Sequence, residues 1–307
     1  MTDVFLQGEL SDIGSGWSPG AGAGRESTRS RSARAREFGG YLLRRPGLVL
    51  AVLVLVTVLL WAFFPDLFTS QSAIAGSPAD KLAPPSASHW MGTDELGRDE
   101  YSRVVHGTAL TLQATLIAVL TGLVTGSALG LLSGCAGGRI DDVLMRIVDV
   151  MLSVPSLIIA LAIVAAIGFG TEHVAIAVGV ASVAGFARVM RSEVLRISAA
   201  TYVEAGRTAG SSWFTVLRRH ILPNAGGPVL VFAALEFGQA VLAVASLSFL
   251  GLGAQPPAPE WGELIADGRS YLATSWWLTT LPGLVVALTV LSANRVARAI
   301  EGAGPRR

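Results

Sequence analysis

The chain has a single cysteine, and among its 23 basic residues a single lysine; only 15% of its 307 residues are charged. The lone Cys135 excludes an internal disulfide and any cysteine-based zinc site. The confinement of lysine to Lys81 reads as genomic bias and carries no physical argument. His89, His106 and His173 are scattered without metal-ligand spacing. No Gly-x-x-x-x-Gly-Lys-Ser/Thr run occurs, so the chain lacks a phosphate cradle of its own. A net charge of +1 gives no electrostatic reason to expect nucleic acid as a partner. Soluble domains carry about 25% charged residues. The deficit here, with 51% hydrophobic residues and a mean hydropathy of +0.56, points to the lipid bilayer as solvent.

What is present is a series of long apolar runs. Residues 1–40, rich in Gly, Ser and Arg, bury too little surface to order themselves and are expected to form a disordered cytoplasmic tail. The first transmembrane helix is expected within 41–64, where 48–64 is free of charge. A cleaved signal peptide is the rival reading, because "AIA" at 73–75 resembles a cleavage site. Its n-region would exceed 40 residues, which argues against it. Further runs at 109–134, 147–168, 173–187, 226–251 and 277–294 bring the expectation to six spans. The class is therefore an all-α integral membrane protein. With the N-terminus inside, 19 basic residues fall on the inner side. Only Lys81, Arg98, Arg103 and Arg269 fall outside, which favours both termini in the cytoplasm. That topology makes 65–108 an extracytoplasmic segment and 109–296 a helical core with an inner loop at 188–225, followed by a cytoplasmic tail at 297–307. "RDEYSRVVHG" (98–107) is expected as a short surface helix. Gly122, Gly126, Gly130 and Gly134 share one helix face and would let a neighbour approach closely. Trp61, Trp276 and Trp277 suit interfacial belts.

The inner loop contains "TYVEAGRTAGSSWFTVLRRHILPN" (201–224), a polar stretch between apolar runs. Thr201 and Glu204 have capping-box spacing, which predicts a helix over 202–209. Gly210 suits a left-handed helix end. A second helix is expected over 212–220, with His220 in its last turn and Pro223 preventing continuation. Such an elbow has an ordering cost and implies a docking partner.

The order Glu204-Ala205-Gly206, then Gly210, then His220-Ile221-Leu222-Pro223 resembles the EAA loop of ABC-importer permeases. In that family the loop carries the helix that couples to the cytoplasmic ATPase. Tyr202, Val203, Glu204, Ala205, Gly206, Arg207, Gly210, His220, Leu222 and Pro223 are the coupling residues this likeness implies. "HWMGTDELGRDEYSRVVHGTALTL" (89–112), with Gly92, Thr93, Asp94, Gly97, Arg98 and Asp99, resembles the C-type transmembrane subunit of the dipeptide/oligopeptide/nickel permeases. "LSFLGLGAQPPAPEWGELIADGR" (247–269) resembles the same family. The likeness implies a B-type permease partner, two ABC ATPase subunits that bind ATP and Mg, and an extracytoplasmic peptide-binding protein. It implies no cofactor in this chain. Three positions depart from the pattern. Gly206 replaces a usual Ala, Val244 stands where a Glu is usual, and the C-terminus lacks the Gly-Asp and Leu-Arg-Asp tail.

Glu236, Gln239 and Ser246 lie within the fifth span. An ionised group at mid-membrane costs about 2.5–3.5 kcal/mol on insertion scales, so either Glu236 lines a translocation pathway with Gln239 and Ser246, or it hydrogen-bonds another helix or sits near the inner headgroups. Asp141, Asp142 and Asp149, with Arg139 and Arg146, read as an interfacial charge cluster. Arg188, Arg191, Glu193 and Arg196 read as a solvated extension of span four. An intramembrane hydrolase would need a nucleophile such as Ser153 or Ser246 facing a base, and His173 is the only histidine near a span end. A passive channel is the third reading. The substrate classes implied by the family are dipeptides, oligopeptides, glutathione or nickel, with peptides the default.

Overall fold

The computed structural model describes residues 46–303. The tail expected over 1–40, residues 41–45 of the first span and 304–307 lie outside the described residues. All regular structure described is helical, apart from one isolated bridge between Thr93 and Asp99. Helix α1 (Pro46–Phe63) begins on a proline, whose fixed φ suits a first helical position. Only Leu48, Ala51 and Val58 of it are buried, so it lies at the edge of the bundle.

Helix α2 (Glu100–Ala136) has 37 residues, about 55 Å at 1.5 Å per residue, longer than the bilayer hydrocarbon. Asp99 caps it by accepting from the Ser102 N–H at 2.8 Å. The surface helix expected over 98–107 is therefore not separate. From Glu100 onward it forms the first turns of the second span. A charge-assisted cap starts the helix, and no proline occurs between Glu100 and Ala136 to stop it.

The run expected as one span over 147–168 is broken. Helix α3 (Gly138–Ser153) and helix α4 (Ser156–Ile167) meet at 95° across Val154 and Pro155. Proline removes a helical donor and pushes the residue before it into extended geometry, and Val154 has ψ 134°. Helix α4 alone has 12 residues, about 18 Å, too short to cross. Among the described residues five helices are long and apolar enough to span a membrane, and the count reaches six with this bent pair taken as one.

Helix α5 (Thr171–Ser198) packs along the glycine face of α2. An added Cβ at Gly126 would come 2.5 Å from the Val183 carbonyl oxygen, and at Gly130 2.3 Å from that of Ala187. Only hydrogen fits there, so backbone meets backbone and van der Waals contact replaces the hydrophobic drive that lipid removes. Helix α3 is tied to α5 by two ion pairs, Asp141 with Arg191 at 2.6 Å and Asp149 with Arg188 at 2.5 Å. The charges expected to stand as an interfacial cluster and a solvated face are thus partly each other's partners.

Helix α6 (Thr201–Thr208) and helix α7 (Trp213–Val216) form the inner-loop elbow. A π-turn over Leu217–Ile221 leads without interruption into helix α8 (Leu222–Phe249). Helix α9 (Trp261–Gly268) lies in the connection to helix α10 (Trp277–Ala303). The main buried core joins α2, α5 and α8 through residues such as Ala118, Phe186 and Val244, and Val203 and Val216 of the elbow belong to it. Trp277 does not join an interfacial belt. It is 6% exposed and donates to the Thr93 carbonyl at 3.4 Å, whereas Trp276 is exposed.

Candidate functional site

The elbow is held from below and bare on top. Helix α6 starts on Ala200, whose carbonyl accepts from Val203 at 2.9 Å and Glu204 at 3.2 Å. Thr201 is therefore the first helical residue and not the cap, and the Thr201–Glu204 capping box is not formed in that register. Gly210 has φ +81°, and the Ser211 N–H reaches back to the Gly206 carbonyl at 3.1 Å, closing the helix in a Schellman-type turn. Ser212 caps α7 by accepting from the Thr215 N–H at 3.3 Å.

Pro223 does not end the second helix, contrary to the expectation. The chain widens into i→i+5 geometry, with the Leu222 N–H bonded to the Leu217 carbonyl, and continues as helix to Phe249. The wider turn absorbs the proline ring and its missing donor. The Asn224 side chain then donates to the His220 carbonyl at 2.6 Å. The rings of His220 and Tyr202 meet at 5.9 Å with their planes tilted by 57°, which brings α6 against the π-turn.

Val203, Val216 and Ile221 are buried beneath the elbow. Tyr202 (46%), Trp213 (53%) and Phe214 (64%) are exposed above it. Glu204, Ala205, Leu222 and Pro223 are exposed as well. Gly206 is an open position, since a Cβ there would meet only His220 Nε2 at 4.0 Å. Arg207 belongs to α6, and its side chain lies outside the described residues.

At the opposite end of the bundle the 92–99 motif forms a buried ionic network. Gly92 and Gly97 have φ +75° and +73°, and a Cβ at Gly97 would strike the Ser77 carbonyl oxygen at 1.9 Å. Asp94 Oδ1 accepts from the N–H groups of Leu96 and Arg98, both at 2.9 Å. Its Oδ2 takes Arg98 at 2.5 Å and Arg103 at 3.2 Å. Asp99 accepts from Ser102 and pairs with His89 at 2.9 Å. Thr93 accepts from Ala83 and donates to the Asp80 carbonyl.

The sequence reading missed the other half of this network. Arg103, 1% exposed, also reaches Asp267 at 3.5 Å. Glu260, fully buried, caps α9 through Gly262 at 3.0 Å and Glu263 at 3.2 Å and accepts from Thr111 at 3.0 Å. The available signal was Glu260 followed three residues later by Glu263, at a helix start after "PPAP". Burial raises Glu263 to about 7, and the nearby Asp267 carboxylate pushes the same way against Arg103. Both Glu263 oxygens are buried without a hydrogen-bond donor among the described residues. Burial likewise raises Glu260 and Asp267, and for Asp267 Arg103 opposes the shift.

Between these ends Glu236, Gln239 and Ser246 come together. They line one cavity of about 200 Å³, with Ser156 of α4 and Ser182 of α5 opposite. Glu236 is the fifteenth of the 28 residues of α8, hence at its middle. Ser246 donates to the Leu242 carbonyl at 2.7 Å and Ser153 to that of Val150 at 2.7 Å, so each is engaged with its own helix. No group of three or more metal-ligating side chains occurs among the described residues.

Comparison with known proteins agrees on one family. Residues 126–303 match the model for "Binding-protein-dependent transport system inner membrane component". The chain is 38% identical to the dipeptide transport system permease protein DppC of Alkalihalophilus pseudofirmus, over 83% of this chain and 84% of that one. It is 38% identical to the glutathione transport system permease protein GsiD of Pectobacterium atrosepticum, over 90% and 92%. Among solved structures, an amino acid ABC transporter superposes with a TM-score of 0.53 at 19% identity, over 66% of this chain and 94% of that one, a likeness of fold.

Proposed function

The chain belongs to the family of binding-protein-dependent transport system inner membrane components, and on that premise we propose that it is the C-type permease subunit of an ATP-driven peptide importer. It is a multi-pass helical component of the inner membrane and not itself an enzyme. A permease of this kind works with a partner permease, ATPase subunits and a substrate-binding protein. The finer assignment is a B-type permease partner, two ATPases that hold ATP and Mg, and an extracytoplasmic protein that delivers di- or oligopeptides. The excess of arginines flanking the elbow end supports placing that end, and both termini, in the cytoplasm. A glutathione-named relative at equal identity keeps a tripeptide thiol within the same substrate class.

The observation that carries this reading is the continuity of the elbow with α8. Tyr202, Trp213 and Phe214 offer an exposed aromatic face outside the spans. The π-turn joins α7 to the helix that carries Glu236, Gln239 and Ser246. A displacement of the elbow by a closing ATPase pair would move that helix as one body and change access to the cavity. A bulky cationic residue at exposed Glu204 would disturb the docked face without touching the core. Glu204→Arg should therefore abolish transport-coupled ATP hydrolysis in the assembled importer, and unchanged coupling would remove the elbow from the mechanism.

A further inference from the structure

The cavity beneath the broken span has one chemical peculiarity. Its only charged lining group is Glu236, at mid-helix, and its walls hold neither Lys, Arg nor His. The other polar groups in it are neutral: Gln239, Ser246, Ser182 and Ser156. An anion at that depth calls for a cation or a proton, since like-charged or apolar walls give it no solvation. Gln239 and Ser156 are exposed, so the cavity opens on the surface of this chain and is not sealed in its core. At about 200 Å³ it is smaller than the 300–1,000 Å³ typical of a site for a whole small ligand. It suits one end of a molecule whose remainder lies against another wall.

We propose that Glu236 receives the ammonium group of the peptide in transit, with Gln239 and the serine hydroxyls completing its hydrogen bonds. This deepens the transport reading and rests on it. A primary ammonium has three donors and no acceptor, which matches a carboxylate flanked by amide and hydroxyl oxygens. The broken span contributes the rim: the bend at Pro155 places Ser156 at the start of α4, within the cavity lining.

The test uses the co-purified importer in proteoliposomes with radiolabelled dialanine as probe. Glu236→Gln should lower uptake about tenfold or more, the loss of one charge-assisted contact. Glu236→Asp should keep most of the uptake. Moving the carboxylate one turn, in Glu236→Gln combined with Gln239→Glu, should restore uptake in part, which a merely structural role would not do. Gln239→Trp should plug the cavity and block uptake whatever the charge. If Glu236→Gln transports like the parent, or the double variant stays at its level, the ammonium assignment is overturned. If Gln239→Trp also transports freely, the failure lies in the pathway reading, and absent uptake by the parent of dialanine, of glutathione and of a labelled pentapeptide alike would overturn the peptide substrate.

Discussion

Two glycines four residues apart in the elbow should respond to the same substitution with opposite signs. Gly206 lies inside the eight-residue helix Thr201–Thr208, and a Cβ there meets only His220 Nε2, at 4.0 Å, an ordinary contact. Glycine in a helix interior costs up to about 1 kcal/mol against alanine, so Gly206→Ala should stabilise the helix by about that amount. Gly210 has open space around it but φ +81°, where an alanine is strained by about 1–2 kcal/mol. Since 1.4 kcal/mol is tenfold in an equilibrium constant, Gly206→Ala should slow amide exchange over 202–208 by up to about fivefold, and Gly210→Ala should speed it by about five- to thirtyfold. Hydrogen exchange read by mass spectrometry on the full chain in nanodiscs resolves these changes. Faster exchange in Gly206→Ala would refute the argument, because it would mean that the methyl group meets something the geometry leaves out. The same substitution is also the direct test of whether the departure from Ala at this position softens the coupling helix.

Two further predictions concern the other end of the bundle. Arg103→Met would leave partly exposed Asp267 without its cation and buried Asp94 with Arg98 alone, and should destabilise the fold by about 1–3 kcal/mol, measurable by denaturant unfolding in detergent. Glu263 is raised from 4.5 to about 7, so between those values the folded state holds a proton that the unfolded chain has released. The contribution of Glu263 to stability is then greatest below about 4.5, falls as pH rises through about 7 and levels off above it. Glu263→Gln should flatten that part of the pH profile of thermal unfolding, and an unchanged slope would take it from Glu263 and leave it with the other buried carboxyls, among them Glu100, Glu260 and Asp267.

Much of the architecture is local and was legible. Apolar runs mark the spans, the four glycines of α2 mark the helix–helix face, and the turn chemistry at Gly210 marks the elbow. Where local rules misled, two prolines were responsible in opposite ways. Pro155 breaks a run that hydropathy alone reads as continuous, whereas Pro223 was read as a stop and is carried through by a π-turn. A proline excludes regular α geometry at its position without saying whether the chain bends or widens. The ionic network was half legible. The 92–99 motif drew notice as a likeness, but its partners are far off in the chain. Trp261 bonds the Val104 carbonyl across 157 positions, and Glu260 reaches Thr111 across 149. No periodicity relates such residues. The shared cavity of Glu236, Gln239 and Ser246 was legible as a face of one helix, while Ser156 and Ser182 entered only through the fold.

Everything proposed for the elbow depends on its seating on an ATPase. A photo-reactive phenylalanine analogue placed at Trp213, which is exposed where Val203 and Val216 are buried, tests it directly in native membranes. The account predicts an ultraviolet-dependent adduct to a chain carrying a Gly-x-x-x-x-Gly-Lys-Ser/Thr phosphate loop, absent when the same analogue replaces lipid-facing Leu53. An adduct pattern at Trp213 that matches Leu53 and contains no such chain would contradict it.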